Sequence, residues 1–256
     1  KKAWQRFLIM LFGPMNNFIL AVLLLFVIAL CYGGTSMKPI ITSVELGSAA
    51  YKAGLDDGDR VIKINNHKVS SVDDISLYLA IANPKGKNTF YVEKTNGKYE
   101  TIKVKPEHIK TKDGESGIGM QQERTHGFLN AIKYSYQKTC SIFKQMFVTV
   151  GSLFTGGVKV SQLSGPVGIY SIVGEQSKGG LANILYLIAF LSINVGFINL
   201  LPIPAFDGGH ILFIIIEKIK GSPVNPELEN KIHAVFLMLL LLLMIVVTFN
   251  DILRLF

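Results

Sequence analysis

Between Phe7 and Tyr32 the chain carries no Asp, Glu, Lys, Arg or His. A run of that length, wound as a helix, reaches across a hydrocarbon core about 30 Å thick. Leu181 to Ile216 is a second apolar run, with Asp207 and His210 as its only acidic or basic residues, and Ile232 to Asn250 is a third. Hydrophobic residues make up 49% of the chain and charged residues 17%, and the apolar ones fall into these blocks. Three membrane segments are therefore expected, rather than one large soluble core. Gly13-Pro14 and Asn16-Asn17 interrupt the first run, so its regular span is expected from Phe18 onward. The basic start at Lys1, Lys2 and Arg6 would suit a signal peptide. The Pro and the two Asn, and the lack of a small-residue cleavage site after the run, argue against one.

Between the first and second runs the pattern changes. Ile40 to Val44, Arg60 to Ile64, Thr89 to Val92 and Thr101 to Val104 read as short strands, separated by turn pairs such as Asn65-Asn66 and Asn96-Gly97. Gly47 to Leu55 reads as a short helix closed by Gly54. The expected architecture is a polytopic α-helical membrane protein with an inserted α+β domain. Its boundaries are 1–32 for the first segment and 38–107 for the inserted domain. An amphipathic helix and linker fill 126–180. A second membrane segment covers 181–216, a charged loop 217–231, and the last helix 232–256. In the amphipathic helix Phe128, Ile132, Tyr136, Phe143, Met146 and Val150 recur at helical spacing, while Lys133, Lys138 and Lys144 lie elsewhere on the wheel. That face suits core packing and the bilayer surface equally well.

The net charge of +8 forms no basic stripe interleaved with aromatics, which excludes nucleic acid as a partner. Cys31 and Cys140 make no metal or redox pattern. Lys1, Lys2 and Arg6 flank the first run, and Lys218, Lys220 and Lys231 lie between the second and third. Short-loop lysines favour the cytoplasm, which puts the inserted domain on the opposite side.

The sharpest local feature is Asn199-Leu200-Leu201-Pro202-Ile203-Pro204-Ala205-Phe206-Asp207-Gly208-Gly209-His210. An aspartate at the centre of a membrane helix costs about 3 kcal/mol on insertion scales. It needs a cation, a proton or a polar partner. Two prolines just before it break the helix, which lipid tolerates only beside protein or a cavity. Two glycines after it admit a close backbone. These residues point to an irregular polar site at membrane depth. A second possibility stands beside it: Asp207 at an interface, capping the next helix.

The pattern Asn-x-x-Pro-x-Pro-x-x-Asp-Gly resembles the second metal-binding motif of the site-2 protease family, the bacterial RseP type of peptidase M50. Phe206 stands where Leu is usual. Gly13-Pro14-Met15-Asn16-Asn17-Phe18 is similar to the family's Gly-Pro-x-x-Asn-Phe segment. Leu163-Ser164-Gly165-Pro166 is similar to its Leu-Ser-Gly-Pro segment. Gly47 to Val69 resembles part of a bacterial PDZ domain.

The resemblance implies an intramembrane zinc endopeptidase of bacterial cell membranes that cleaves single-pass membrane proteins such as anti-sigma factors or remnant signal peptides. Asp207 would be a zinc ligand. Asn199 would hold the substrate backbone, with Pro202, Pro204 and Asn17 beside it, and the PDZ-like domain, outside the cytoplasm, would act as a size filter or bind trimmed peptide ends. The other ligands and the general base belong to a His-Glu-x-x-His helix. His67, His108, His126, His210 and His233 offer no such pair, so that helix is expected upstream of Lys1, and no catalytic residue is assigned within the chain. His210 is expected to pack beside the site rather than bind metal, and His233 to sit at an interface. Two other readings compete: a non-catalytic membrane adaptor or pseudoprotease presenting a PDZ domain, and part of a transporter, which an internal repeat would reveal.

Overall fold

The computed structural model describes residues 2–81, 87–105, 109–111, 114–116, 120–121, 124–155, 165–222 and 224–253. The chain divides into two compact units. One joins Lys1–Ile28 to Lys159–Phe256, and the other is Ala29–Val158. Leu163 and Ser164 of the Gly165-Pro166 segment lie outside the described residues, as do 106–107 at the end of the expected inserted domain.

In chain order the elements begin with α1 (Ala3–Tyr32), β1 (Gly34–Thr35), β2 (Ser43–Val44), α2 (Ala49–Ala53), β3 (Arg60–Ile64), β4 (His67–Lys68) and α3 (Val72–Ile81). Then come β5 (Asn88–Glu93), β6 (Tyr99–Val104), β7 (Ile109–Thr111), β8 (Gly114–Ser116), β9 (Met120–Gln121) and β10 (Arg124–Thr125). The C-terminal half is α4 (Phe128–Phe154), α5 (Pro166–Lys178), α6 (Leu181–Leu200), α7 (Asp207–Lys220) and α8 (Pro226–Leu253).

Among the described residues three helices are long and apolar enough to cross a membrane: α1, α6 and α8. At 1.5 Å per residue the 20 residues of α6 reach about 30 Å. One expectation needs correction. Helix α1 does not begin at Phe18; it starts at Ala3 and runs through Pro14. A proline inside a helix removes one i to i−4 hydrogen bond, and packing against a neighbour offsets that loss. Here Pro14 is buried and its carbonyl lies against Gly196 of α6. The second apolar run is broken where the two prolines stand, into α6 and α7, separated by Leu201–Phe206.

The Ala29–Val158 unit is built on an antiparallel sheet ordered β4-β3-β5-β6. Ile41, Leu55, Val61, Ile64, Ile75, Phe90, Val92 and Val104 form its core. Alternation along β5 buries Phe90 and Val92 and leaves Tyr91 outward. The expected strand at Ile40–Val44 is shorter, with a single bridge from Ile40 to Arg60 and then β2. Helix α2 has the expected caps. The Ser48 hydroxyl accepts from the Tyr51 amide, and Gly54 closes the helix at φ 90°.

Buried acids in this unit are paired. Lys94 donates to the Gly54 carbonyl and to the carboxylates of Asp56 and Asp59, at 2.6, 2.8 and 2.9 Å. Burial alone pushes the Lys94 ammonium down, but the bonds to Asp56 and Asp59 outweigh it and hold it above the ordinary lysine value. Asp74 accepts from the Ser70 amide and hydroxyl, the Ser71 amide and Lys144, all on one oxygen. Burial pushes the Asp74 carboxyl up, and the bonds from Lys144 and Ser70 bring it below the ordinary aspartate value.

Candidate metal-binding and substrate site

The site lies where α6 ends and α7 begins, within the Lys1–Ile28 and Lys159–Phe256 unit. Pro202 disfavours helical backbone at the residue before it. Leu201 accordingly leaves the helix at ψ 141°. The chain then turns tightly, with the Ile203 amide donating to the Leu201 carbonyl at 2.7 Å and the Phe206 amide to the Ile203 carbonyl at 2.9 Å. Helix α7 restarts at Asp207. A Cβ on Gly208 would strike the carbonyls of Leu200 and Leu201, and one on Gly209 would strike the Ile203 carbonyl. The two glycines let the broken segment fold back onto the first turn of α7.

Helix α1 closes the other side. A Cβ on Gly196 would stand 3.1 Å from the Pro14 carbonyl and from the Phe18 ring. A Cβ on Gly13 would stand 3.2 Å from Asp207 Oδ2. So the Gly13–Phe18 segment packs on α6 and on the start of α7 at once, and two stretches nearly 200 residues apart meet through backbone-lined gaps.

Asp207 is the first residue of α7 and is half-buried. Among the described residues its carboxylate takes part in no hydrogen bond and no ion pair. It does not cap α7, since Phe206 occupies the N-cap position without a side-chain bond. Asn17 lies four residues beyond Gly13, on the same face of α1. Asn199 lies three beyond Gly196, in the last turn of α6. Both asparagines are half-buried. Pro202 is exposed, and the Pro204 carbonyl accepts from His233 Nδ1 at 2.7 Å.

His210 is engaged elsewhere. Its Nδ1 pairs with Glu229 Oε1 at 3.1 Å, and its ring leans on that of His233, 5.7 Å between centroids. Glu229 and His233, both on α8, thereby tie down α7 and the broken segment. His233 is thus a buttress of the site, a role that spacing along the chain gave no sign of.

A second residue escaped the sequence reading. Asp251, near the end of α8, is almost fully buried, and its Oδ2 accepts from the amides of Gly165 and Gly168 at 2.8 Å each. It caps α5, whose N-terminus has no side-chain cap of its own. A Cβ on Gly165 would stand 2.9 Å from that oxygen and from Val247. The signal that points to Asp251 is the one that singles out Asp207: an acid on an apolar helix.

Asp207 has the chemistry of a single anionic oxygen ligand. No group of three His, Cys, Asp or Glu able to hold a metal ion occurs among the described residues. The residues present therefore fit part of a zinc site.

A sequence model of peptidase family M50 matches residues 1–243. The chain belongs to this family. It is 39% identical to the "Regulator of sigma-W protease RasP" of Bacillus subtilis over all of this chain and 61% of that protein. It is 38% identical to the "Zinc metalloprotease RasP" of Geobacillus kaustophilus, over all of this chain and 61% of the relative. It is also 38% identical to the "Probable protease eep" of Enterococcus faecalis, over all of this chain and 60% of the relative. The chain thus spans about three fifths of the length of these relatives. The solved PDZ domain of an SdrC-like protein from Listeria innocua aligns at 22% identity and a TM-score of 0.29, covering 35% of this chain and 97% of that one.

Proposed function

We propose that these residues form the larger part of a zinc-dependent intramembrane endopeptidase acting on single-pass membrane proteins. One observation carries the reading: the half-buried Asp207 carboxylate, between two apolar helices and beside Gly13 of α1, has no hydrogen-bond or ion-pair partner among the described residues. A carboxylate in that setting is costly unless a cation or proton meets it. Family membership and relatives named zinc metalloproteases point to zinc.

Asp207 would supply one ligand, and two histidines of a His-Glu-x-x-His helix outside these residues would supply the others. When bound, zinc provides a Lewis acid and a water of lowered pKa. Asp207 stands in the first turn of α7, and the Glu229–His210 and His233–Pro204 bonds keep the broken segment in place. Asn199 presents its amide to the backbone of an extended substrate. Asn17, Pro202 and Pro204 flank that strand. Extension is required because a helical substrate keeps its carbonyls in internal bonds. Anti-sigma factors and remnant signal peptides are the substrate classes, in line with the sigma-W regulator among the relatives.

The 38–107 domain faces away from the cytoplasm and takes peptide ends. In support, a cavity of about 680 Å³ beside α3 and α4 is lined by Met37, Pro39, Ile40 and Tyr136, apolar surface for a peptide, with Lys38 and Arg60 as cations for a terminal carboxylate. Cleavage of a model transmembrane substrate by Asp207→Asn, made in the protein that carries these residues with the family's two-histidine segment, tests the assignment. Loss of cleavage is expected; cleavage at the unsubstituted rate would overturn it.

A further inference from the structure

The sheet of the Ala29–Val158 unit has one covered face and one bare face. On the covered face Val61, Ile64, Phe90 and Val92 are buried, and Ile75 and Tyr78 of α3 join them. The Tyr78 ring stacks there on His67, 4.7 Å between centroids. On the bare face the pairings Lys68–Lys63, Lys63–Tyr91 and Tyr91–Thr101 lay one row across all the strands of the sheet. A bulge between Val61 and Lys63 turns Lys63 into that row. Tyr99 and Lys103, two residues to either side of Thr101 on β6, widen it. All of these side chains are exposed.

Two features of the bare face are unfavourable in the free protein. Lys63 and Lys68 stand directly opposite each other, and like charges so placed weaken the pairing of their strands. Among the described residues no ion pair includes Lys63, Lys68 or Lys103, whereas Arg60 and Glu93 beside them offset each other at 3.6 Å. Tyr91 and Tyr99 stack, with 5.7 Å between centroids and 10° between planes, yet are 36% and 56% exposed. Stiff aromatic rings flanked by unpaired cations have the make-up of a protein contact: the rings supply buried area, and the cations supply steering and register. The row holds no exposed aliphatic side chain that would enter a bilayer.

We infer that this face docks an acidic segment of another polypeptide, with its carboxylates on Lys63, Lys68 and Lys103 and one of its side chains against the tyrosine pair. A carboxylate set between Lys63 and Lys68 replaces their repulsion with two charge-assisted hydrogen bonds. An extended chain presents every second side chain to one side, about 7 Å apart, which is also the spacing of Tyr99, Thr101 and Lys103 along β6. None of these residues lines the cavity beside α3 and α4. The inference therefore rests on neither the peptide-end reading of that cavity nor the protease reading.

The test uses the protein that carries these residues with the family's two-histidine segment, purified in an uncharged detergent. The probe is a fluorescent peptide built from repeats of two Glu and one Tyr, with binding followed by anisotropy. The peptide should bind, and raising the salt from about 50 to about 300 mM should weaken binding about tenfold. Lys63→Glu should also weaken it about tenfold while raising the melting temperature, because the repulsion of Lys68 is relieved, so the loss is not one of folding. Tyr91→Ser combined with Tyr99→Ser should weaken it as well. Lys178→Glu, the same change of net charge on exposed α5, should bind as the unsubstituted protein does. Equal binding by the Lys63 and Lys178 variants would overturn the inference, since net charge alone would explain it. So would absence of binding at low salt, or equal binding of polyphosphate of the same charge, which would mark a site for phosphate polymers instead.

Discussion

The two units treat buried carboxylates in opposite ways. In Ala29–Val158, Asp59 and Asp74 are fully buried, and each accepts a lysine and at least one backbone amide. In the other unit, among the described residues, Asp251 accepts only backbone amides and the Asp207 carboxylate accepts nothing. The first pair hold loops in shape. Asp251 joins the end of α8 to the start of α5. Asp207, half-buried between apolar helices, has no partner among the described residues, which suits the ligand role proposed for it rather than that of a strut.

If that contrast is right, perturbing the two regions should damage different properties. The largest effect is expected at Gly208→Val. The atoms a side chain would meet there are backbone carbonyls, which cannot give way, so the protein should lose both cleavage and its heat-stable fold in detergent. Asp74→Ala should destabilise the soluble domain by about 3 kcal/mol, since it strands Lys144 and three donors from Ser70 and Ser71. A thermal melt followed by hydrogen exchange in α3 and α4 measures this. Cleavage by the fraction that stays folded should be unchanged, and a specific catalytic loss would blur the distinction drawn here. Gly13→Ala should be milder. Its Cβ meets only the movable carboxylate of Asp207 at 3.2 Å, so zinc affinity should fall by roughly tenfold with little change in melting temperature.

The smallest effect concerns pH. The Asp74 carboxyl is held below its ordinary value of 3.8, so its folded form binds a proton less readily than its unfolded form. Its contribution is complete above that value and is lost as pH falls through the lower folded one. Acid melts of the domain should lose stability below about pH 4. Asp74→Asn should flatten that part of the curve, and an unchanged profile would mean that another group sets it.

Much of this arrangement can be read along the chain because it is local. The helix between Ser48 and Gly54, the break at Pro202 and Pro204, and the need for Gly208 and Gly209 all follow from residues a few positions apart. The isolated acid at Asp207 is legible for the same reason. What is not legible is pairing at a distance. Asp251 meets Gly165 across 86 positions, His233 meets the Pro204 carbonyl across 29, and Lys138 meets Asp73 across 65. Spacing within α4 gives an apolar and a polar face, but only Asp73 and Asp74 decide which one turns inward. The helical path of α1 through Pro14 likewise depends on Gly196, a residue of another helix.

The most direct test of the contrast is the zinc content of the purified protein, made with the two-histidine segment, for Asp207→Asn beside His210→Ala. An amide is a far weaker ligand than a carboxylate, and replacing an unpartnered charge with it should leave folding intact. The Asp207 variant should therefore be soluble in detergent, normally folded and nearly free of zinc. The His210 variant, which loses the bond to Glu229 and the ring contact with His233, should keep most of its metal. Full zinc occupancy in the Asp207 variant, or equal loss in both, would contradict the account.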